Sequence, residues 1–300
     1  MMRALILGCG YVGVPLGEKL AKLGHEVWGV RRNPAAASEL AAAGIQFFQA
    51  DISQPGSLDA LPGDFDWIIN LVSSDKGGPE QYRAAYLEGN RNLVEWARRH
   101  PAKKIVYTSS TSVYGQADGS AVKETSPAEP AGETSQILVQ AEKVLLEAAP
   151  ALPTVVLRVA GIYGPDRGHL LKQYLKNEAT IPGKGERYIN MIQRDDLADV
   201  IIAALKSGRA GEIYNVCDDE PVQMLHFFRW LSETLGKWMP PFGAEDETRK
   251  RGATNKKVQN RRMKAELGAQ LKYPTFRQGY TAEIKRLDNE GLLNLDPEPR

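Results

Sequence analysis

Short apolar runs alternate with longer stretches of helical texture through the first half of the chain. Ala4–Leu7, Glu26–Val30, Trp67–Leu71 and Lys104–Thr108 are short, apolar and bounded by turn or polar residues. Runs of that kind are strands buried on both faces, as in a parallel sheet. Between them, Val14–Leu23, Ala35–Ala43 and Gln81–Arg99 read as helices, and a helix over Gln136–Ala148 precedes a further strand at Thr154–Val159. The alternation predicts βαβ units and an α/β fold built on a doubly wound parallel sheet. Beyond Pro165 the texture changes. Residues 166–190 are mixed and rich in Gly, Lys and Tyr, Asp196–Lys206 is helical, Glu212–Val216 reads as a strand and Leu225–Leu235 as a helix. Trp238–Gly252, with Pro240-Pro241 and many charges, reads as a surface excursion. The expected layout is a sheet domain over 1–165 and a smaller C-terminal α/β lobe over 166–300, with segments near 191–206 returning to the core.

Composition narrows the function classes. A chain of 300 residues, 42% hydrophobic and 25% charged, is ordinary globular material with enough length for a substantial core. With 38 basic and 37 acidic side chains the net charge is +1, which gives no electrostatic case for nucleic acid or a membrane surface as partner. The apolar stretch after Met1-Met2-Arg3 is too short for a signal-peptide core, and no window approaches a membrane span. The two cysteines, Cys9 and Cys217, offer neither a disulfide framework nor zinc spacing. A cytoplasmic protein is expected. His25, His100, His169 and His226 are scattered without ligand spacing, so no metal site is expected. A basic cluster (Arg249-Lys250-Arg251, Lys256-Lys257, Arg261-Arg262 and Lys264) is flanked by Glu245, Asp246, Glu247 and Glu266. It reads as a solvated face or as part of an anionic-substrate pocket. Asp195-Asp196 reads as helix N-terminal capping, because adjacent residues on a helix face different ways.

Gly8-Cys9-Gly10-Tyr11-Val12-Gly13 is a G-x-G-x-x-G run that follows the first strand and opens the first helix. In that context it is a dinucleotide-binding, Rossmann-type turn. Gly8 serves the tight turn, Gly10 the approach of backbone to pyrophosphate, and Gly13 the packing of helix on strand. Tyr11 and Val12 bring N–H groups at the helix N-terminus toward the phosphates. At the end of the second strand, where an NAD site usually carries Asp or Glu, the sequence reads Val30-Arg31-Arg32-Asn33. No carboxylate repels a 2′-phosphate there and two guanidinium groups can pair with it, so NADP(H) is favoured over NAD(H). Asp51 and Ile52, after Phe47–Ala50, sit where such folds contact adenine.

Val106–Gly115 reads Val-Tyr-Thr-Ser-Ser-Thr-Ser-Val-Tyr-Gly, followed by Leu157–Pro165 (Leu-Arg-Val-Ala-Gly-Ile-Tyr-Gly-Pro) and Ile192–Ala198. With Glu212–Val216 and Tyr273–Tyr280, these stretches and the glycine turn resemble the extended short-chain dehydrogenase/reductases, the NAD-dependent epimerase/dehydratase family. The likeness spans nearly the whole chain in order. It implies that Ser110, five residues before Gly115, assists catalysis, and that a Tyr-x-x-x-Lys pair begins eight residues before Glu142. Those two positions hold Thr134 and Leu138. None of the eleven tyrosines has a lysine four residues after it. The departure is similar to the atypical YeeZ-like subgroup, which keeps the glycine motif and lacks the pair.

General acid–base assistance is worth about 10²–10⁴-fold, and neither threonine nor leucine replaces a pKa-lowered phenol beside an ammonium. Tyr114, Tyr163 and Lys143 are the candidate substitutes. The resemblance implies an oxidoreductase of the epimerase, dehydratase or reductase type acting on a small molecule, a nucleotide sugar or a carbonyl compound, and a homodimer. The alternative is a catalytically silent NADP(H)-binding sensor.

Overall fold

The computed structural model describes residues 1–74, 77–244 and 254–293. At its centre is a seven-stranded parallel sheet. In chain order the strands are β1 (Arg3–Leu7), β2 (Glu26–Arg31), β3 (Gln46–Gln49), β4 (Trp67–Asn70), β5 (Lys104–Ser110), β6 (Thr154–Val159) and β7 (Ile213–Val216). They lie side by side as β7-β6-β5-β4-β1-β2-β3. The order reverses between β1 and β4, and a doubly wound fold opens its ligand crevice there, outside the carboxyl ends of the strands.

The principal helices are α1 (Gly13–Lys22), α2 (Ala37–Ala42), α3 (Gly89–Arg99), α4 (Glu133–Ala148), α5 (His169–Leu175), α6 (Arg194–Ser207), α7 (Met224–Leu235), α8 (Arg261–Leu267) and α9 (Phe276–Asn289). Ala4 to Leu7 are wholly buried because helices cover both faces of β1. Successive strand residues point to opposite faces. Ile6 therefore joins Leu16 and Leu20 of α1, Leu40 of α2 and Ile201 and Leu205 of α6. Leu5 and Leu7 join Leu93 and Trp96 of α3 and Leu145 of α4. Each such side chain withdrawn from water contributes about 1.5–3 kcal/mol, so the two layers are the main stabilising mass. A separate core in the C-terminal lobe gathers Tyr174 of α5, Phe227, Phe228 and Leu231 of α7, and Phe276 and Tyr280 of α9.

The chain returns to the sheet domain more deeply than the expected 191–206 segment. α6 shares the core of α1, and β7 becomes the outermost strand beside β6, with Tyr214 opposite Leu157. A second tie is a two-residue parallel ladder, Ala121–Val122 with Lys257–Val258, between the loop after β5 and the stretch before α8. The single helix expected over Gln81–Arg99 contains a π-helical turn, Arg83–Glu88, ahead of α3. The helix expected from Ala35 begins as a 3₁₀ turn, Pro34–Ala36, because Asn33 caps the Ala35 N–H and Pro34 supplies a pre-set φ. Capping by Asp195-Asp196 is corrected. Gln193 caps α6, its side-chain oxygen accepting from the N–H groups of Asp195 and Asp196. The buried Asp196 carboxylate instead accepts from the N–H groups of Lys272 (2.8 Å) and Tyr273 (2.9 Å), pinning the approach to α9.

Candidate active site

A cavity of about 730 Å³ opens at the carboxyl ends of β1, β2 and β4. Gly8 and Gly10 form one wall, Arg31 and Arg32 a second, and Asp51 and Ile52 a third. Gln81, just before the π-helical turn, and Ala84 and Ala85 within it line the same space, as do Val72–Ser74. Unusual helical turns of this kind recur beside functional sites.

The glycine turn is shaped by its neighbours. Gly8 adopts φ +73°, and a Cβ there would stand 2.7 Å from the Val72 nitrogen, so any side chain would collide with the strand-end backbone. The N–H groups of Gly8 and Cys9 both donate to the Val30 carbonyl at 3.1 Å, fixing the turn against β2. A Cβ on Gly13 would lie 3.2 Å from Ile6 Cγ2, which is how α1 comes to rest directly on β1. At Gly10 it would meet no protein atom closer than 3.9 Å, and Gly10 faces the cavity. Cys9 is a small residue filling the turn. Burial pushes its thiol up to about 12, so it stays protonated. No side chain caps α1 and its first turn carries no acid. Uncapped N–H groups at a positive helix end suit the phosphates of a dinucleotide.

Tyr11 and Val12 do not line the cavity. The Tyr11 ring turns toward the C-terminal lobe, beneath the guanidinium carbons of Arg167 at 5.0 Å and Arg194 at 5.2 Å. Any contact it makes with a phosphate therefore comes from its backbone. Its hydroxyl is buried with no hydrogen-bond partner among the described residues, and burial pushes its pKa up to about 12.

Arg31 and Arg32 stand together at the end of β2, with Asn33 beside them on the cavity wall. Arg31 Nη1 is 2.8 Å from Glu39 Oε2, so part of its charge is already answered by α2. Arg32 is exposed. Across the cavity, Asp51 Oδ1 accepts from the N–H (3.0 Å) and Oγ–H (2.7 Å) of Ser53. The Ile52 carbonyl takes a hydrogen bond from Asn92 Nδ2 at 2.9 Å. Gly8, Gly10, Arg31, Arg32, Asp51 and Ile52 are thus brought around one space.

The other end of the crevice is different. Ser110 closes β5, and its Oγ accepts from the Ser112 N–H at 3.1 Å, capping the 3₁₀ turn Thr111–Val113. Thr134, Leu138 and Glu142 follow one another at four-residue intervals along α4, on one helix face. Thr134 is half-buried. Leu138 is buried among Val113, Tyr114, Val122, Ala160 and Val258, so an apolar cluster stands where an ammonium is expected in the family. Glu142 is buried and held by three groups: Arg158 Nη2 at 2.7 Å, Arg158 Nε at 3.1 Å and Ser109 Oγ at 2.6 Å.

The three substitute proton donors are not assembled here. Tyr114 is wholly buried, its hydroxyl accepting from Arg158 Nη1 (3.0 Å) and donating to Asn215 Oδ1 (2.7 Å). Burial raises its pKa, and both hydroxyl functions are spent inside the protein. Tyr163 stacks on Tyr280 at 4.3 Å between ring centroids, with its hydroxyl buried and its pKa raised far above the phenolic range by burial. Lys143 lies on the solvent face of α4, 3.6 Å from Glu147.

The residue missed in the sequence is Lys256. Grouped there with the basic cluster, it is neither solvated nor paired with an acid among the described residues. It is 5% exposed, and its ammonium donates to the Tyr114 carbonyl (2.9 Å) and Thr254 Oγ1 (2.8 Å). Burial lowers its pKa to about 8. The one available signal was a period of two through Lys256, Val258 and Asn260, all buried, interleaved with the more exposed Lys257 and Gln259. Elsewhere in the cluster, Arg262 pairs with Glu212 and Glu266, and Lys264 with Asp219. Arg249-Lys250-Arg251 lies outside the described residues. Among the described residues no group of His, Cys, Asp and Glu could hold a metal ion, and no helix is long and apolar enough to cross a membrane.

The family model for the NAD dependent epimerase/dehydratase family matches residues 4–217. Protein YeeZ of Escherichia coli (strain K12) is 29% identical over 279 residues, covering 91% of this chain and 97% of its own. The 2-alkyl-3-oxoalkanoate reductase of Shewanella oneidensis is 26% identical, covering 79% of this chain and 67% of its own. Among solved structures, a functionally unknown conserved protein from Silicibacter pomeroyi superposes with a TM-score of 0.80 at 31% identity, covering 95% of this chain and 99% of its own. UDP-glucuronic acid 4-epimerase from Bacillus cereus, solved with UDP-glucuronic acid and NAD, superposes with a TM-score of 0.82 at 22% identity, covering 96% of this chain and 100% of its own. That last likeness speaks for the fold alone.

Proposed function

This chain belongs to the NAD dependent epimerase/dehydratase family, and we propose that it is an NADP(H)-linked oxidoreductase of the epimerase, dehydratase or reductase type that works without the usual Tyr-x-x-x-Lys pair. The observation that carries the reading is the wall at the end of β2. Arg31, Arg32 and Asn33 line the cavity there, where a carboxylate would hold the ribose hydroxyls of NAD. A 2′-phosphate placed against this wall gains charge-assisted hydrogen bonds from guanidinium groups. Gly8 and Gly10 with the uncapped start of α1 receive the pyrophosphate, and Asp51 and Ile52 flank the adenine. The nicotinamide supplies the hydride chemistry. Ser110, at the carboxyl end of β5, would hydrogen-bond a substrate oxygen, the role that the family resemblance gives it. A carbonyl compound or a nucleotide sugar is the substrate class, by analogy with the activities of the reductase and epimerase relatives.

A titration followed by nicotinamide fluorescence tests this. NADPH should saturate the protein and bind clearly more tightly than NADH. Tighter NADH would overturn the role given to Arg31 and Arg32, and failure of both to bind would remove the oxidoreductase reading.

One feature favours a second reading. Leu138 is packed into an apolar cluster with Val113 and Tyr114, which is what a dinucleotide sensor with no proton chemistry would also carry. Different affinities for NADPH and NADP⁺, with no turnover of any carbonyl compound or nucleotide sugar, would select it.

A further inference from the structure

Lys256 reaches the sheet domain from the C-terminal lobe, one residue before the small strand Lys257–Val258. Its ammonium meets the Tyr114 carbonyl, four residues past Ser110 at the carboxyl end of β5. Its own carbonyl is held by Asn190 Nδ2 at 2.9 Å, and the Asn190 carbonyl accepts from Gly161 N–H at 3.1 Å, just past the carboxyl end of β6. Ser110 and Val159 are register partners where those two strands finish. The amine and the backbone of Lys256 are thus held by segments that follow the carboxyl ends of β5 and β6, the side of a doubly wound sheet where reacting groups collect.

Its surroundings are costly for a group that only anchors a loop. An ammonium carries three N–H donors, and two neutral oxygens receive it here. No carboxylate pairs with it among the described residues, and a buried charge without a counter-ion is strongly disfavoured. The titratable groups on the elements around it are committed elsewhere. Tyr114 is bonded to Arg158 and Asn215, Glu124 accepts from the Asn215 N–H, Asp118 accepts from the Ser120 N–H, and the Tyr188 ring carries Lys257.

We propose that Lys256 exchanges the proton with the substrate oxygen, taking the role that Thr134 and Leu138 leave open; the proposal rests on the oxidoreductase reading above. In the reducing direction the carbonyl carbon receives a hydride from the reduced nicotinamide and the C=O π pair moves onto oxygen. That oxygen takes a proton from Lys256 Nζ, breaking N–H and forming O–H. The nicotinamide leaves oxidised, and the neutral amine recovers a proton from water. Oxidation of an alcohol runs the same steps backward. A pKa of about 8 leaves the ammonium dominant at pH 7 yet able to give up its proton.

The amine is read first, on the intact wild-type chain, by competitive labelling with trace acetic anhydride between pH 6 and about 11, the modified lysine being located by peptide mass. Lys256 should label with a midpoint near pH 8, against about 10.4 for an ordinary lysine. No label on Lys256, or an ordinary midpoint, overturns the proposal. Turnover is then probed with NADPH and 9,10-phenanthrenequinone, a flat aromatic dicarbonyl. Lys256→Met should reduce it about 10²-fold or more slowly at pH 7 while NADPH affinity is unchanged, and Lys256→Arg should keep NADPH binding and move the alkaline limb of the pH profile upward. Undiminished reduction by Lys256→Met overturns the proposal, and where the quinone is not turned over the labelling result decides. Failure of the wild type to bind NADPH removes the cofactor reading instead, and the two failures are told apart.

Discussion

The two ends of the crevice are built under different constraints. At the β1–β2 end, a glycine with positive φ, a helix resting on its strand and no cap on that helix leave backbone N–H groups open to an anion. At the β5–β6 end, the features serve the protein itself. Ser109, Glu142, Arg158, Tyr114 and Asn215 form one buried hydrogen-bonded chain, and Leu138 packs beside it. Nucleotide-type geometry is thus retained where a side chain would obstruct it. On α4, Glu142 belongs to this buried chain, while Thr134 is half-buried and Leu138 lies in the apolar cluster.

The comparison breaks most easily at Glu142. Glu142→Ala leaves the Arg158 guanidinium buried and unanswered and should cost about 3–5 kcal/mol, read as a drop in the urea midpoint. A loss below about 1 kcal/mol, the scale of an exposed ion pair, would mean that the buried chain is not structural. Gly8→Ala should follow, at about 2–4 kcal/mol, combining a left-handed backbone with a Cβ pressed on Val72. Nicotinamide fluorescence should show cofactor binding lost along with stability; unimpaired binding would contradict the shape argument for the turn. Arg31→Ala with Arg32→Ala should weaken NADPH by about 1.5–3 kcal/mol and leave NADH nearly untouched. An equal loss for both cofactors would show the arginines acting on something other than the 2′-phosphate.

A pH-dependent effect is expected at Asp218, just past β7. Burial holds its carboxyl well above the usual range, and Oδ2 has no partner among the described residues. The folded chain keeps this proton where the unfolded chain loses it, from about pH 4 upward. The stability this group confers is complete in acid and drains away as pH rises toward the folded value. Asp218→Asn, which cannot ionise, should therefore gain on the wild type between about pH 4 and 7. Parallel stability curves for the two proteins over that range would show the carboxyl to be ionised in the fold.

Much of this was legible in the sequence because it rests on local pattern. The strands announce themselves by being apolar on both faces, and the glycine turn by sitting between a strand and a helix. What escaped depends on contacts far apart in the chain. Tyr114 is spent on Asn215, 101 residues away, and Lys256 on Tyr114, 142 residues away. The capping by Gln193 was missed in the same way: Asp195 and Asp196 are better capping types, yet the carboxylate of Asp196 is claimed by Lys272 and Tyr273. Residue type announces capacity, and partners decide its use.

The late arrival of β7 bears on how the protein is made. While it is being synthesised, β6 has one free edge until residues 213–216 have left the ribosome, and α6 must emerge before the core of α1 is covered. Seven-tenths of the chain is thus translated before the sheet can close. A nascent chain halted near residue 165 would present an exposed parallel edge and an uncovered apolar face, a surface that invites chaperones or a second unfinished copy.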